Sequence, residues 1–187
     1  LSSLPGAERE AIDIAQLLNT SALVGDQATE TAIKQKLPDA QLIHMATHGL
    51  LEYGRPEDSG VLDIPGAIAL TPDDQEDGLL TAAEISNMDL QADLVVLSAC
   101  DTGQGRVTDD GVIGLSRSFM TAGVPSTVVS LWAVPDAPTA QLMTEFYRQR
   151  QGGHNKAQAL RQAMVTTMES HPDPRDWAAF LLIGETE

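Results

Sequence analysis

Cysteine, aromatic residues and basic residues are all scarce in this 187-residue chain. The single cysteine, Cys100, excludes an intrachain disulfide and a cysteine-rich metal site, so we expect a reducing, cytoplasmic setting. With only 4% aromatic residues, we expect a core of aliphatic side chains and methionine, which suits stacked strands and helices. No apolar run approaches the roughly 20 residues that span a bilayer, and no basic-then-apolar leader is present, which predicts a soluble protein with no membrane partner.

Basic residues number only 11 against 27 acidic ones, which gives a formal net charge of −16. Such a charge repels phosphate backbones, so nucleic acid is a poor candidate partner. The same field would concentrate basic peptides near a cleft, or it could serve only to keep the protein soluble. The length suits one domain over residues 1–187. The first residue, Leu1, suggests that this domain is a segment of a longer chain.

The apolar periodicity predicts an alternation of helices and strands. Helices are predicted at residues 5–19, 29–37, 81–88, 110–122, 138–150 and 155–168. Strands are predicted at residues 21–24, 41–47, 66–70, 93–97, 126–132 and 176–184. Thr81 and Glu84 have the spacing of a capping box at the start of the third helix. The alternation predicts an α/β fold with a mainly parallel sheet covered on both faces.

Two of the predicted strands end in residues that could carry chemistry. One leads to Cys100, and the other leads to His48 and Gly49. If these strands are parallel neighbours, thiol and imidazole reach the same sheet edge, which is where open parallel sheets place their sites. The separation, 100 − 48 = 52 residues, matches the histidine about 50 residues upstream of the caspase nucleophile. The pattern predicts a Cys-His dyad, with a buried, inert cysteine as the alternative. We expect His44 to be a core or supporting group.

Phosphate and metal sites find little support in the sequence. The glycines at 103–111 match neither a Walker A loop nor a dinucleotide fingerprint, which disfavours a nucleotide-binding domain. The acidic turn at 72–78 could attract calcium but lacks the EF-hand ligand pattern, so we interpret it as a solvated loop. We therefore predict no metal and no cofactor.

Five motifs in order over most of the chain resemble the CHAT family, caspase-like domains usually fused to tetratricopeptide repeats, within the caspase, metacaspase and separase clan. The motifs are ATHG at 46–49, DGLLTA at 77–82, ADLVVLSACDTG at 92–103, SLW at 130–132 followed by Asp136 and Thr139, and WAAF at 177–180. The resemblance implies a three-layer α/β/α sandwich with a mainly parallel six-stranded sheet. It implies Cys100 as nucleophile, His48 as general base, and the N–H groups of Gly49 and Cys100 as the oxyanion hole. Upstream repeats or a regulatory protein are the implied partners, besides a protein or peptide substrate.

Substrate preference is predicted from acids near the expected sheet edge. Asp101 follows the nucleophile, and Asp136 follows the strand that ends near Trp132. These acids suggest a pocket for lysine or arginine before the scissile bond, as in the metacaspase and separase branches, with Trp132 lining the pocket or packing beneath it. The alternative role for Asp136 is to cap the helix that begins near Pro138.

The leading functional prediction is a cysteine endopeptidase with selected protein substrates. Asp101 and the negative field should disfavour the thiolate, so we expect a largely neutral resting thiol that passes its proton to His48 during attack. The alternative is a non-catalytic or partner-activated protein-interaction module with the same fold.

Overall fold

A computed structural model describes residues 4–50, 66–98, 109–132 and 134–187 of the chain, so Cys100 and Asp101 lie outside the described residues. The helices in these ranges are α1 Pro5–Leu17, α2 Glu30–Lys36, α3 Ala82–Ser86, α4 Asp109–Thr121, α5 Asp136–Gln151 and α6 Lys156–Ser170. The strands are β1 Leu42–Met45, β2 Gly49–Leu50, β3 Ala67–Ala69, β4 Leu79–Thr81, β5 Leu94–Leu97, β6 Ser126–Ser130 and β7 Phe180–Gly184. No helix in these ranges is both long and apolar enough to cross a membrane.

The main sheet of the described residues has the strand order β1-β5-β6-β7. β1, β5 and β6 run parallel, and β7 closes one edge antiparallel to β6. The predicted mainly parallel sheet is confirmed, although four strands are described here where the family resemblance implies six.

Both faces of the main sheet are buried, as the near-continuous apolar sequence of β5 predicts. Leu94 and Val96 join a core with α1, α5 and α6, and Val95 and Leu97 join a core on the opposite face with α3 and α4. This alternation follows from the two-residue period of a strand, which sends successive side chains to opposite faces. The described helices and sheet therefore form an α/β fold with a core on each face.

A second, antiparallel sheet of the described residues has the order β2-β3-β4 and begins just after β1. The predicted strand at 41–47 is therefore too long, since β1 ends at Met45. The chain turns toward β3 because Thr47 Oγ1 donates to the Ala69 carbonyl at 2.7 Å. The Ala69 N–H in turn donates to the His48 carbonyl at 2.9 Å. His48 consequently lies in the connection between the two sheets.

The sequence predicts the start of α3 correctly and the start of the last strand incorrectly. The capping box of α3 is present, with Thr81 Oγ1 accepting from the Glu84 N–H and the Glu84 carboxylate accepting from the Thr81 N–H. The last strand is shorter than predicted, because a 3-10 turn at Pro174–Asp176 precedes it and is capped by the Asp173 side chain.

The predicted strand at 21–24 is wrong as a paired element: the structure assigns no strand there. Val24 is nevertheless extended, with φ −133° and ψ 153°. Val24 thus has a strand-like backbone, and no described strand pairs with residues 21–24.

Candidate active site at the carboxyl edge of the sheet

His48 is buried, with 8% of its surface exposed. Main-chain hydrogen bonds hold this histidine on both sides. The strand that precedes it is bonded within the main sheet, and the His48 carbonyl accepts a hydrogen bond from the Ala69 N–H beside β3. A histidine held in this way has a defined backbone position at the end of β1. The structure thus supports the expected placement of His48 at the carboxyl edge.

The register between β1 and β5 links this histidine to the position of the cysteine in the sequence. Each pair, from Leu42 with Leu94 to Met45 with Leu97, is separated by 52 residues. The Ser98 N–H donates to the Met45 carbonyl at 2.9 Å, which adds one bond beyond the last pair. Cys100 itself lies outside the described residues. By sequence it follows Leu97 by three residues, and His48 follows Met45 by three.

Gly49 occupies a position in β2 that directs its N–H away from β3. It lies opposite Ile68, and the bond from the Ala69 N–H to the His48 carbonyl flanks this pair. That pattern marks a non-hydrogen-bonded pair, whose own N–H and C=O groups point away from the partner strand. The Gly49 N–H is therefore directed away from the β2–β3 ladder.

Asp136 and Trp132 have contacts that the sequence did not predict. Asp136 is the first residue of α5, and its carboxylate accepts from the Gly6 N–H in the first turn of α1 at 3.1 Å. The capping alternative is wrong, because the helix begins two residues earlier than expected, with Pro135 as N-cap and no side-chain cap. Trp132 is partly exposed and donates its indole N–H to the Arg175 carbonyl.

His44 belongs to a buried polar triad with Glu10 and Tyr147. Its Nε2 lies 3.0 Å from the Glu10 carboxylate, and its Nδ1 lies 3.0 Å from the Tyr147 hydroxyl. Burial raises the pKa of Tyr147 well above its usual value, and the nearby Glu10 carboxylate adds to this. Because a carboxylate only accepts, a neutral ring donates from Nε2 and accepts the Tyr147 proton at Nδ1. The prediction of His44 as a satisfied core group is confirmed.

Comparison with known proteins decides the family. The family model of the CHAT domain matches residues 1–185. The chain belongs to the CHAT domain family. Tetratricopeptide repeat protein 28 of Homo sapiens is 33% identical to it, and the protein of the same name from Mus musculus is 32% identical. Each match covers 97% of this chain and 8% of the relative, so the chain spans about a twelfth of the length of these curated relatives.

A cavity of about 370 Å³ lies beside β1 in this CHAT domain. Its walls come from residues 44–48, from residues 69–71, from the first turns of α1 beginning at Leu4, and from Leu23, Val24, Gly25 and Ala28. The site histidine is therefore in contact with this cavity.

One group of three carboxylates in the described ranges has the spacing of metal ligands. Oxygens of Glu30, Glu76 and Glu84 lie within 4.8 Å of one another. The Lys34 ammonium lies among them, at 2.7, 2.9 and 2.6 Å respectively. Burial lowers the pKa of Lys34, but the hydrogen bonds to the three carboxylates outweigh burial and raise it above its usual value. The cluster is thus an ion-pair network centred on lysine.

Sequence reasoning missed Glu10 and Lys34 for different reasons. Glu10 lies three residues after Ala7 and four before Ile14, which places it on the apolar stripe of α1, and this spacing could have marked it as buried. Lys34 and Glu84 are 50 residues apart, and no local pattern indicates their contact.

Proposed function

We propose that this CHAT domain is a cysteine endopeptidase in which Cys100 is the nucleophile and His48 the general base. The observation that carries the proposal is the β1–β5 register, whose separation of 52 residues equals the sequence separation of His48 and Cys100. Neighbouring parallel strands end at the same sheet edge. The thiol and the imidazole each follow one of these strands by three residues. The register therefore favours an arrangement in which the two groups are neighbours at that edge.

The reaction would proceed by acyl transfer. The Cys100 sulfur attacks the peptide carbonyl carbon while its proton passes to His48, and the imidazolium then protonates the leaving amine. Water hydrolyses the resulting thioester and restores the thiol. The oxyanion would accept hydrogen bonds from the N–H groups of Gly49 and Cys100. The Gly49 N–H supports this role because the β2–β3 ladder does not use it.

We further propose a preference for lysine or arginine before the scissile bond, with Asp101 and Asp136 supplying negative charge and Trp132 an apolar wall. Asp136 also tethers the first turn of α1, so its substitution needs a check of folding. Fluorogenic peptides that end in Arg, Lys, Asp or Leu test the preference. A basic preference that survives Asp136→Ala would remove this residue from the pocket.

Labelling with a thiol-reactive peptide electrophile tests the dyad. We expect no labelling in Cys100→Ala and labelling about 100-fold slower in His48→Ala, since a positioned base contributes at least that factor. His154→Ala removes an exposed histidine and serves as the matched control, with the wild-type rate. A wild-type rate in His48→Ala would show that the thiol reacts without its proposed base.

The alternative function is a non-catalytic or partner-activated interaction module. It is favoured by the curated relatives, which are named for tetratricopeptide repeats and not for a protease. We propose such repeats, or a regulatory protein, as the partner in a reducing cytoplasm. Labelling of Cys100 only after a repeat partner is added would support partner activation. Absence of labelling in both conditions would favour the non-catalytic module.

We propose that residues 1–187 form one caspase-like domain, a three-layer sandwich around a six-stranded sheet. Support comes from the mainly parallel strands and from the apolar cores on both faces of the described sheet.

A further inference from the structure

The first turn of α1 approaches the start of α5 more closely than a side chain at Gly6 would permit. The Gly6 N–H donates to Asp136 Oδ2 at 3.1 Å. A Cβ atom on Gly6 would overlap the Asp136 side chain. Glycine forms helices less well than alanine, so helix formation does not account for this residue in α1. The close approach to Asp136 is the structural reason for a glycine here.

The contact has a purely structural explanation, in which Asp136 caps α1 from another helix. The first N–H groups of a helix lack intrahelical partners and favour a negative charge. Leu4, the N-cap of α1, supplies no side-chain bond, so the Asp136 carboxylate fills that role. Only Oδ2 is used, however, and no bond to Oδ1 is found among the described residues. Because the Asp136 side chain is exposed, its second oxygen is accessible to a ligand.

α1 is itself bonded to the strand that leads to His48. Glu10 lies one helical turn after Gly6, on the same face of α1. Its carboxylate is 3.0 Å from His44 Nε2, and His44 belongs to β1. Because α1 contacts β1 through Glu10 and α5 through Gly6, it sets the position of the Asp136 carboxylate relative to the strand of the site histidine.

A buried hydroxyl at the carboxyl edge of the sheet points to a ligand on the same face. Ser98 directly follows β5, is 9% exposed, and its Oγ has no hydrogen-bond partner within the described residues. By the two-residue period of a strand, Ser98 continues the face of Leu94 and Val96, which packs against α1 and α5. Buried hydroxyls are nearly always hydrogen-bonded. An unpaired one on the face where α5 begins fits a polar group that enters from the edge.

We propose that Gly6 is a positioning residue, which holds the Asp136 carboxylate toward the basic side chain of a substrate. Oδ2 remains bonded to α1, while Oδ1 accepts from the ammonium or guanidinium group. Because the carboxylate is already held in place, less side-chain freedom is lost on binding. This inference rests on the basic preference proposed above, and it makes α1 as well as α5 a determinant of that preference.

The amide resonance of Gly6 reports on the contact directly. It is followed by NMR in Cys100→Ala, so that no probe is cleaved. The probes are acetyl-Ala-Ala-Ala-Arg-amide and its citrulline counterpart, which has nearly the same shape without the charge. We expect the arginine peptide to shift the Gly6 resonance and the citrulline peptide to leave it in place. No shift with the arginine peptide, or equal shifts with both, would overturn the proposal.

Three variants in the same background separate orientation, charge and nonspecific attraction. Gly6→Ala should weaken binding of the arginine peptide about tenfold or more, the effect of one charge-assisted hydrogen bond, and leave binding of the citrulline peptide unchanged. Asp136→Asn should abolish the preference for arginine over citrulline, while its amide oxygen can still accept from Gly6 and keep α1 in place. Asp74→Asn removes an exposed acid of the turn at 72–78 and is the matched charge control, with the parent affinities.

The outcomes distinguish this inference from the proposals on which it rests. A Gly6→Ala protein that is folded by urea unfolding and binds the arginine peptide with the parent affinity would refute the positioning role and leave Asp136 as a cap. If Gly6→Ala does not fold, the Gly6 shift and the affinities of Asp136→Asn decide the question.

Equal affinity of the parent for both peptides would overturn the basic preference and this inference together. The dyad would be untouched by that result, because electrophile labelling tests it separately. Loss of labelling would in turn leave this inference standing, since all binding is measured in Cys100→Ala.

Discussion

Replacing Lys34 by methionine removes the cation at the centre of three carboxylates. Glu30 is the critical one, because its side chain is only 1% exposed, whereas those of Glu76 and Glu84 are 35% and 37% exposed. In the variant, the Glu30 carboxylate would still accept a hydrogen bond from the Gly78 N–H, which would be its remaining described partner. The substitution therefore leaves a buried carboxylate without its countercharge.

The expected cost lies between those of a buried and a surface ion pair. Breaking a fully buried pair costs about 3–5 kcal/mol. An exposed pair is worth about 0–1 kcal/mol. Because the Lys34 side chain is 21% exposed and water can reach the site, we expect a loss of about 2–4 kcal/mol in the free energy of unfolding. For a chain of this size that corresponds to a decrease in Tm of about 5–15 °C.

Thermal and urea unfolding of Lys34→Met measure this loss, and Lys36→Met is the matched control. Lys36 is an exposed lysine on the same helix, and we expect its substitution to change stability by no more than about 0.5 kcal/mol. Similar small losses in both variants would refute the assignment of Lys34 as the centre of a stabilising network.

The pH dependence has a definite sign. Burial raises the pKa of Glu84, but hydrogen bonds from Lys34 and Thr81 outweigh it and hold the pKa below the usual 4.5. A carboxyl with a lowered pKa in the folded state stabilises the fold above its unfolded pKa and loses this contribution as the pH falls through the folded value. The stability difference between wild type and Lys34→Met should therefore shrink on acidification, and the contribution of Glu84 to it should be lost below pH 4.5. A difference that grows on acidification would contradict this account.

Three further substitutions have expected outcomes in urea unfolding. Tyr147→Phe removes the hydroxyl that bonds His44 Nδ1 and should lower the free energy of unfolding by about 1–3 kcal/mol. An unchanged urea midpoint would argue against that bond. Lys156→Met should cost less than Lys156→Ala, because methionine fills the buried volume and the 58% exposed Asp93 returns to water. Equal losses would show that the charge, and not the volume, matters there. Thr81→Ala should cost about 1 kcal/mol through loss of the cap, and Thr81→Ser should retain most of it.

Features set by neighbouring residues could be predicted from the sequence. The apolar stripe of α1, the capping box at Thr81 and the continuous apolar run of β5 are all visible within a few consecutive residues. The mainly parallel character of the sheet was also predictable from the alternation of strands and helices, whereas the pairing of β1 with β5 entered only as a condition and is given by the structure.

Features set by distant partners could not be predicted. β1 stops at Met45 because Thr47 and His48 bond to Ala69, a residue more than 20 positions away. Asp136 binds Gly6 across 130 residues of sequence, which its local helix-capping pattern does not indicate. In both cases a tertiary hydrogen bond overrides a correct local tendency, which is the usual limit of pattern reasoning.

A chain of hydrogen bonds connects the lysine network to the site histidine. Lys34 binds Glu30, whose other oxygen accepts from the Gly78 N–H at 2.8 Å. The Gly78 carbonyl accepts from the Leu70 N–H at 2.7 Å, and the adjacent Ala69 N–H donates to the His48 carbonyl. Lys34 and Glu30 both belong to α2, but the later links join separate segments of the chain, so the position of His48 depends on the small sheet as well as on β1. Loss of the ammonium should therefore disturb the proposed dyad as well as stability, since the backbone that carries the imidazole is anchored through β3.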